Sequence, residues 1–183
     1  MKKMFFIAVI AFTVNVHAQD KYFTKSGSIS FQSKSPLEKI EAHNKSVTSV
    51  LDTKTGNFQF AVLMKGFEFE KALMQEHFNE NYVESHKFPK AEFKGQVVNN
   101  NDINYTKDGS YTAKVKGKLT IHGETKDVET TGTVMVKGGK LLTSSIFNIQ
   151  LSDYKVEIPK IVKENISNNV KIIVDCSLEP LKG

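Results

Sequence analysis

The chain has 183 residues, a formal charge of +5 and one cysteine, Cys176. That length suits a single domain with its own core, and a lone cysteine permits no internal disulfide. All 25 basic residues are lysine; without arginine's planar fork, on which phosphate and base recognition lean, nucleic acid is not an expected partner.

Residues 1–18 read as a secretory signal. Lys2 and Lys3 precede an apolar run containing Phe5, Phe6, Ile7, Val9 and Ile10, and Val16-His17-Ala18 supplies the small residues of a cleavage point. The run is too short to span a bilayer. Cleavage after Ala18 leaves residues 19–183 as one domain, and losing Lys2 and Lys3 lowers the formal +5 to +3. The product is expected to be exported, periplasmic or secreted, and soluble.

The mature chain then alternates with period two almost throughout, as half-buried strands do. Phe23, Ile29 and Phe31 mark a first strand that Pro36 ends, and Ile40 with Ala42, then Val47 with Leu51, mark two further short ones. Residues 52–57 have the composition of a hairpin turn. Phe58, Phe60, Val62 and Met64 share one face, after which the phase slips at Gly66 so that Phe67 and Phe69 take the apolar role. A glycine at such a slip predicts a bulge or kink.

Residues 67–88 are the one stretch in helical time. Leu73, Met74, His77, Phe78 and Tyr82 fall on one side of a helix, which Pro89 then stops. A strand follows with Ala91, Phe93 and Val97 inward. Residues 110–123 hold the clearest strand: Tyr111, Ala113, Val115, Gly117, Leu119 and Ile121 on one face, Lys114, Lys116, Lys118 and His122 on the other. Val128, Val134 and Val136 lead to a turn at Gly138-Gly139; Phe147, Ile149 and Leu151 form another strand. Asp153, Tyr154 and Pro159 mark a loop with a helical turn near Ile161. Val170, Ile172, Val174, Cys176 and Leu178 form the last strand, with Cys176 as an inert buried thiol. Eight to ten short strands and one helix predict an antiparallel barrel or sandwich.

Catalytic signatures are missing: there is no G-x-S-x-G elbow, phosphate-cradling glycine loop, H-E-x-x-H or cysteine pair. His43, His77, His86 and His122, even with Glu76, lack the short-range spacing of a metal site. No catalytic residue, metal or cofactor is therefore expected. Glu68 with Glu70, and Glu80 with Glu84, read as solvated faces. N-x-S/T triplets stand at Asn44, Asn104 and Asn165. An apolar ligand requires no fixed polar constellation, and an eight-stranded barrel either fills with side chains or holds one small ligand.

Three stretches resemble the YceI-like, polyisoprenoid-binding periplasmic proteins. One is M-Q-E-H-F-N-E-N-Y-V-E-S-H-K-F-P-K-A-E-F-K-G at 74–95; the second is G-K-L-T-I-H-G-E-T-K-D-V at 117–128; the third is F-N-I-Q-L-S-D-Y-K-V-E-I-P at 147–159. The resemblance implies an all-β, lipocalin-like antiparallel barrel of about eight strands, capped or flanked by the amphipathic helix. It also implies a non-enzymatic carrier whose apolar tunnel takes a long isoprenoid or other lipid. By position, Phe58, Phe60, Met64, Phe67, Phe93, Tyr111, Val115, Leu119, Phe147 and Ile149 would line that tunnel, and Leu73, Met74 and Phe78 would close one end. Lys155 departs from the family, where glycine is common after D-Y. Such a carrier would touch membranes only transiently, and a homodimer is compatible with it. Two competing expectations are a barrel enzyme or metalloprotein using the histidines, and a small outer-membrane barrel. The charged helix and absence of tryptophan count against the latter.

Overall fold

A computed structural model describes residues 20–181, so the expected signal at 1–18 lies outside the described residues. Nine strands are present: β1 (Lys21–Lys34), β2 (Lys39–Asp52), β3 (Asn57–Leu63), β4 (Glu68–Phe69), β5 (Lys90–Val97), β6 (Gly109–Ile121), β7 (Glu124–Lys137), β8 (Lys140–Gln150) and β9 (Asn169–Pro180). Among the described residues one α-helix, α1 (Ala72–His77), lies between β4 and β5. The sheet runs β1-β9-β8-β7-β6-β5-β3-β2, and a further β1–β2 pairing closes it into an eight-stranded barrel, with β4 extending the edge of β2. Every pairing is antiparallel.

The expected pair of short strands around Ala42 and Val47 is one strand, β2. Asn44 interrupts its apolar rhythm because the side chain is a wedge rather than a surface group. The phase slip at Gly66 is a 3-10 turn, Met64–Gly66, that separates β3 from β4 while both pair with β2. In the resulting gap Asn44, only 1% exposed, donates from Nδ2 to the Leu63 carbonyl (2.9 Å) and accepts from the Ser46 N–H at Oδ1 (2.8 Å). Gly66 is required beside it, since a Cβ there would lie 2.7 Å from Asn44 Nδ2. In the folded barrel the Asn44 amide is therefore out of reach of solvent.

The second close approach is between β5 and β6. Gly95 faces Gly117 across the ladder, and a Cβ on either would lie 2.6 Å from Phe93 Cζ. Two adjacent glycines let the Phe93 ring lie flat against the wall. On the outer face, Lys116 and Lys118 pair across the strand with Glu129 (2.9 Å) and Asp127 (3.0 Å), so the lysine-rich face of β6 meets water as its alternation predicts.

The barrel end beyond residues 53–56, 98–108 and 138–139 is packed shut, with Leu51, Ile103, Val136, Leu141 and Leu178 all buried. Cys176 is buried against Gly27, and burial pushes its thiol up to about 11. The other end carries α1 and the 151–168 connection.

Candidate functional site

The helical stretch is shorter than its periodicity predicts. α1 ends at His77, and the chain continues as a single wide turn, Phe78–Tyr82, in which the Val83 N–H reaches back to the Phe78 carbonyl (3.0 Å). Glu84, with φ of 42°, then turns the chain out, well before Pro89. Met74, His77, Phe78 and Tyr82 lie on the cavity wall, whereas Leu73, in α1 itself, is 61% exposed and on no cavity wall.

Four rings hold this segment over the barrel. Phe78 stacks on Phe31 (centroids 5.5 Å apart) and meets Phe69 (5.1 Å) and Phe67 (5.6 Å) edge-on or tilted. Phe31 also meets Phe67 (5.4 Å) and Phe69 (5.8 Å). Ring pairs at such separations contribute about 0.5–1.5 kcal/mol each beyond their buried area. The cluster draws on β1, the β3–β4 break, β4 and the wide turn, so it fastens three separate parts of the chain.

Beneath it the barrel is not filled. An outer cavity of about 320 Å³ lies under the helical segment, and a deeper one of about 100 Å³ lies toward the packed end. Phe60, Leu119 and Phe147 belong to the walls of both, forming a waist between two chambers of one lumen. Met64, Phe67, Met74, Phe78 and Ile149 face the outer chamber, and Phe58, Phe93 and Val115 the deeper one. Eleven of the thirteen predicted tunnel residues are therefore on a wall; Leu73 and Tyr111 are not. Tyr111 hydrogen-bonds from its hydroxyl to the Lys107 carbonyl (3.1 Å), below the deeper chamber.

Several further wall residues stand on the apolar faces that alternation marks but are not among those expected to line the tunnel: Phe31, Val62, Ala91, Ile121 and Ile172 line the outer chamber from β1, β3, β5, β6 and β9. Leu151 continues the alternation of Phe147 and Ile149 just past the end of β8, while Val156, Val162 and Ile166 come from an irregular connection, which has no period to read.

The polar part of the wall is confined to the outer chamber's rim and the deeper chamber's hydroxyls. Glu38, in the β1–β2 turn, sits where three segments meet: Asn165 Nδ2 donates to its Oε2 (3.4 Å), and Lys71 Nζ lies 3.7 Å from its Oε1. His77 is both exposed and on the wall, so the chamber reaches the surface beside the helix.

A second junction ties the three motif stretches together. His122 and Gly123, with φ of 51° and 77°, form the two-residue turn of the β6–β7 hairpin, the geometry of a type I′ turn. The His122 ring packs against Phe88 (4.6 Å), places Nε2 3.0 Å from Glu84 Oε2, and places Nδ1 3.2 Å from the Tyr154 carbonyl. Both partners accept, so the imidazole donates to both only when doubly protonated. Lys87 first, and then His122, hold the Glu84 carboxyl below its ordinary range. Burial, with Asp153 nearby, pushes the Tyr154 hydroxyl up to about 12. Lys155, the departure from the family's glycine, adopts φ of 53° and ψ of 27°, a left-handed conformation that favours glycine, and its Nζ pairs with Glu124 (2.6 Å). Among the described residues, no three His, Cys, Asp or Glu side chains are grouped as a metal site.

Solved structures share this architecture. A polyisoprenoid binding domain from Saccharophagus degradans, implicated in plant cell wall breakdown, superposes with a TM-score of 0.77 at 13% identity, over 90% of this chain and all of that one. BcnA of Burkholderia cenocepacia gives 0.69 at 19% identity over 83% and 95% of the two chains, and the Campylobacter jejuni YCEI protein gives 0.55 at 14% over the full length of both. At those identities the likeness is one of fold. No curated protein matches by sequence. The model of the YceI-like domain, however, matches residues 10–178, and the chain belongs to that family.

Proposed function

We propose that this protein is an exported carrier or sequestering protein that holds one long apolar lipid chain, of isoprenoid type, inside the barrel. The carrying observation is the lumen itself: two chambers joined at Phe60, Leu119 and Phe147, walled mainly by aliphatic and aromatic side chains in a barrel whose outer face bears paired lysines. An apolar chain that buried roughly 400 Å² there would gain on the order of 10 kcal/mol at about 25 cal/mol per Å². Association and ordering consume much of that, yet micromolar binding stays within reach. The Saccharophagus domain, described as polyisoprenoid binding, supports the same ligand class. Export is supported by the Lys2-Lys3 and apolar pattern of the first eighteen residues.

Among the described residues no nucleophile–base pair stands on either wall, and the reading assigns no reaction to the barrel. The test is organic extraction of natively purified protein followed by mass spectrometry, with titration of the extracted protein by a prenol. Recovery of a stoichiometric long-chain lipid and saturable rebinding are expected. Extracts without lipid, together with no prenol binding, would refute the role.

A further inference from the structure

The large apolar side chains left in water are not scattered. Single ones on a surface are ordinary, but among the described residues the three most exposed are Ile161 (92%), Leu37 (65%) and Leu73 (61%). Each immediately precedes a residue on the outer chamber wall: Val162, Glu38 and Met74. They come from the 151–168 connection, the β1–β2 turn and α1, segments that meet where Glu38 takes the Asn165 amide at 3.4 Å and Lys71 at 3.7 Å. One rim therefore gives a wall residue to the lumen and an aliphatic side chain to the outside at three places. Ile161 is the sharpest case, at the middle of the 3-10 turn Lys160–Val162.

The charges beside them are unevenly placed. Lys34, opposite Lys39 at the end of the β1–β2 ladder, and Lys160 and Lys163 around Ile161 are exposed and form no ion pair among the described residues, whereas Lys39 and Lys71 are taken by Glu41 and Glu38. Glu157 and Glu164 share the connection with Ile161, and Glu70 and Glu76 flank Leu73. The side formed by Leu37 and Ile161 thus keeps a small positive excess. Aliphatic tips between lysines match the boundary of a phospholipid leaflet, where the tips enter the acyl region and the ammonium groups stay with the phosphates. The opening among them favours a leaflet over a protein: a protein seated there would stopper the chamber, whereas a leaflet is continuous with it. An apolar chain passing between the two need not cross water.

We propose that the open end of the barrel docks on an anionic phospholipid leaflet, with Ile161 and Leu37 inserted, Leu73 at the edge of the contact, and Lys34, Lys160 and Lys163 on lipid phosphates. This rests on the carrier reading, since it names where cargo is exchanged. The test sediments natively purified protein lacking residues 1–18, a segment that would itself bind bilayers, with vesicles of phosphatidylcholine alone or mixed equally with phosphatidylglycerol. Binding is expected to the mixed vesicles. It should weaken at least about threefold when Lys160→Gln and Lys163→Gln are combined, and at least about tenfold in Ile161→Asp with the thermal transition kept. Ile146→Asp, 58% exposed on the outer face of β8, should bind as the parent does. A nitrobenzoxadiazole label on Ile161→Cys should shift to the blue on vesicles, and one on Ile146→Cys should not; Cys176 is buried and does not compete.

No vesicle binding in protein that still takes up a prenol overturns the docking surface and leaves the carrier reading intact. Docking that survives Ile161→Asp, or is lost equally in Ile146→Asp, overturns its assignment to the mouth. An Ile161-dependent dimer without vesicle binding gives the face to a second copy and overturns the proposal. Vesicle binding through Ile161 in protein that takes up no prenol upholds the docking surface and overturns the carrier reading alone. Should Ile161→Asp fail to fold, the blue shift at position 161 against position 146 decides.

Discussion

Asn44→Ala tests how the mouth of the barrel is built. The amide fills the gap left where β3 gives way to the Met64–Gly66 turn, donating to the Leu63 carbonyl and accepting from the Ser46 N–H at 2.9 and 2.8 Å. A hydrogen bond contributes about 1 kcal/mol net, and a buried partner left unpaired costs about 1–3 kcal/mol. Leu63 and Ser46 are themselves exposed at the side chain, so water can reach part of the vacated site. The expected loss is therefore about 2–3 kcal/mol, toward the lower part of the summed range. For a domain of this size that is a fall of about 1 M in the urea midpoint at an unchanged m-value, or about 5–10 °C in Tm. Asn44→Asp sharpens the test. It keeps the acceptor for Ser46 but sets a carboxylate against the Leu63 carbonyl, and should be at least as destabilising as alanine at neutral pH. A loss under about 0.5 kcal/mol, matching an ordinary surface substitution such as Asn148→Ala, would refute the wedge.

Three other outcomes follow from the geometry. Gly117→Ala places a Cβ 2.5 Å from Gly95 Cα and 2.6 Å from Phe93 Cζ, and chemical denaturation should show a loss of about 1–3 kcal/mol. Lys155→Gly relieves a left-handed lysine; the gain in Tm should correspond to about 0.5 kcal/mol, since a left-handed side chain costs about 1–2 kcal/mol, glycine's entropy returns about half of that, and an exposed ion pair is worth little. Glu84 is held below its ordinary value of 4.5 by Lys87 and His122, so it stabilises the fold above that value and loses the contribution as pH falls through the lowered one. A Tm series from about pH 5 to pH 2 should therefore slope less steeply in Glu84→Gln than in the parent; identical slopes would mean the junction at His122 has no electrostatic role.

Much of the barrel is legible in the residues because alternation reports a wall with one wet side. β6 is the clearest case: its lysines face water and its small and apolar residues face the lumen. The same rule found most of the cavity wall. It failed where a side chain does something other than face in or out. Asn44 broke the rhythm of β2 and split one strand into two because a polar residue was serving as a buried bridge. Leu73 kept helical time with Met74 and Phe78, but the six-residue helix Ala72–His77, capped by Phe78, turns only the narrow face of Met74, His77 and Phe78 to the cavity and leaves Leu73 outside. Tyr111 obeyed the alternation of β6, yet its position along the strand places it under the floor of the lumen. Distance along the axis is what period two does not encode. The waist was likewise invisible, since Phe60, Leu119 and Phe147 come from three strands whose relative stagger is set by closure of the ring.

The short β4 has a further mechanical meaning. It grips β2 by two pairings, Ala42↔Phe69 and His43↔Glu68, and residues 64–82 hang from that foothold. Four phenylalanine rings do the rest of the fastening. Parting those ring contacts would free residues 64–82 from the rim without breaking any pairing that closes the hoop of eight strands.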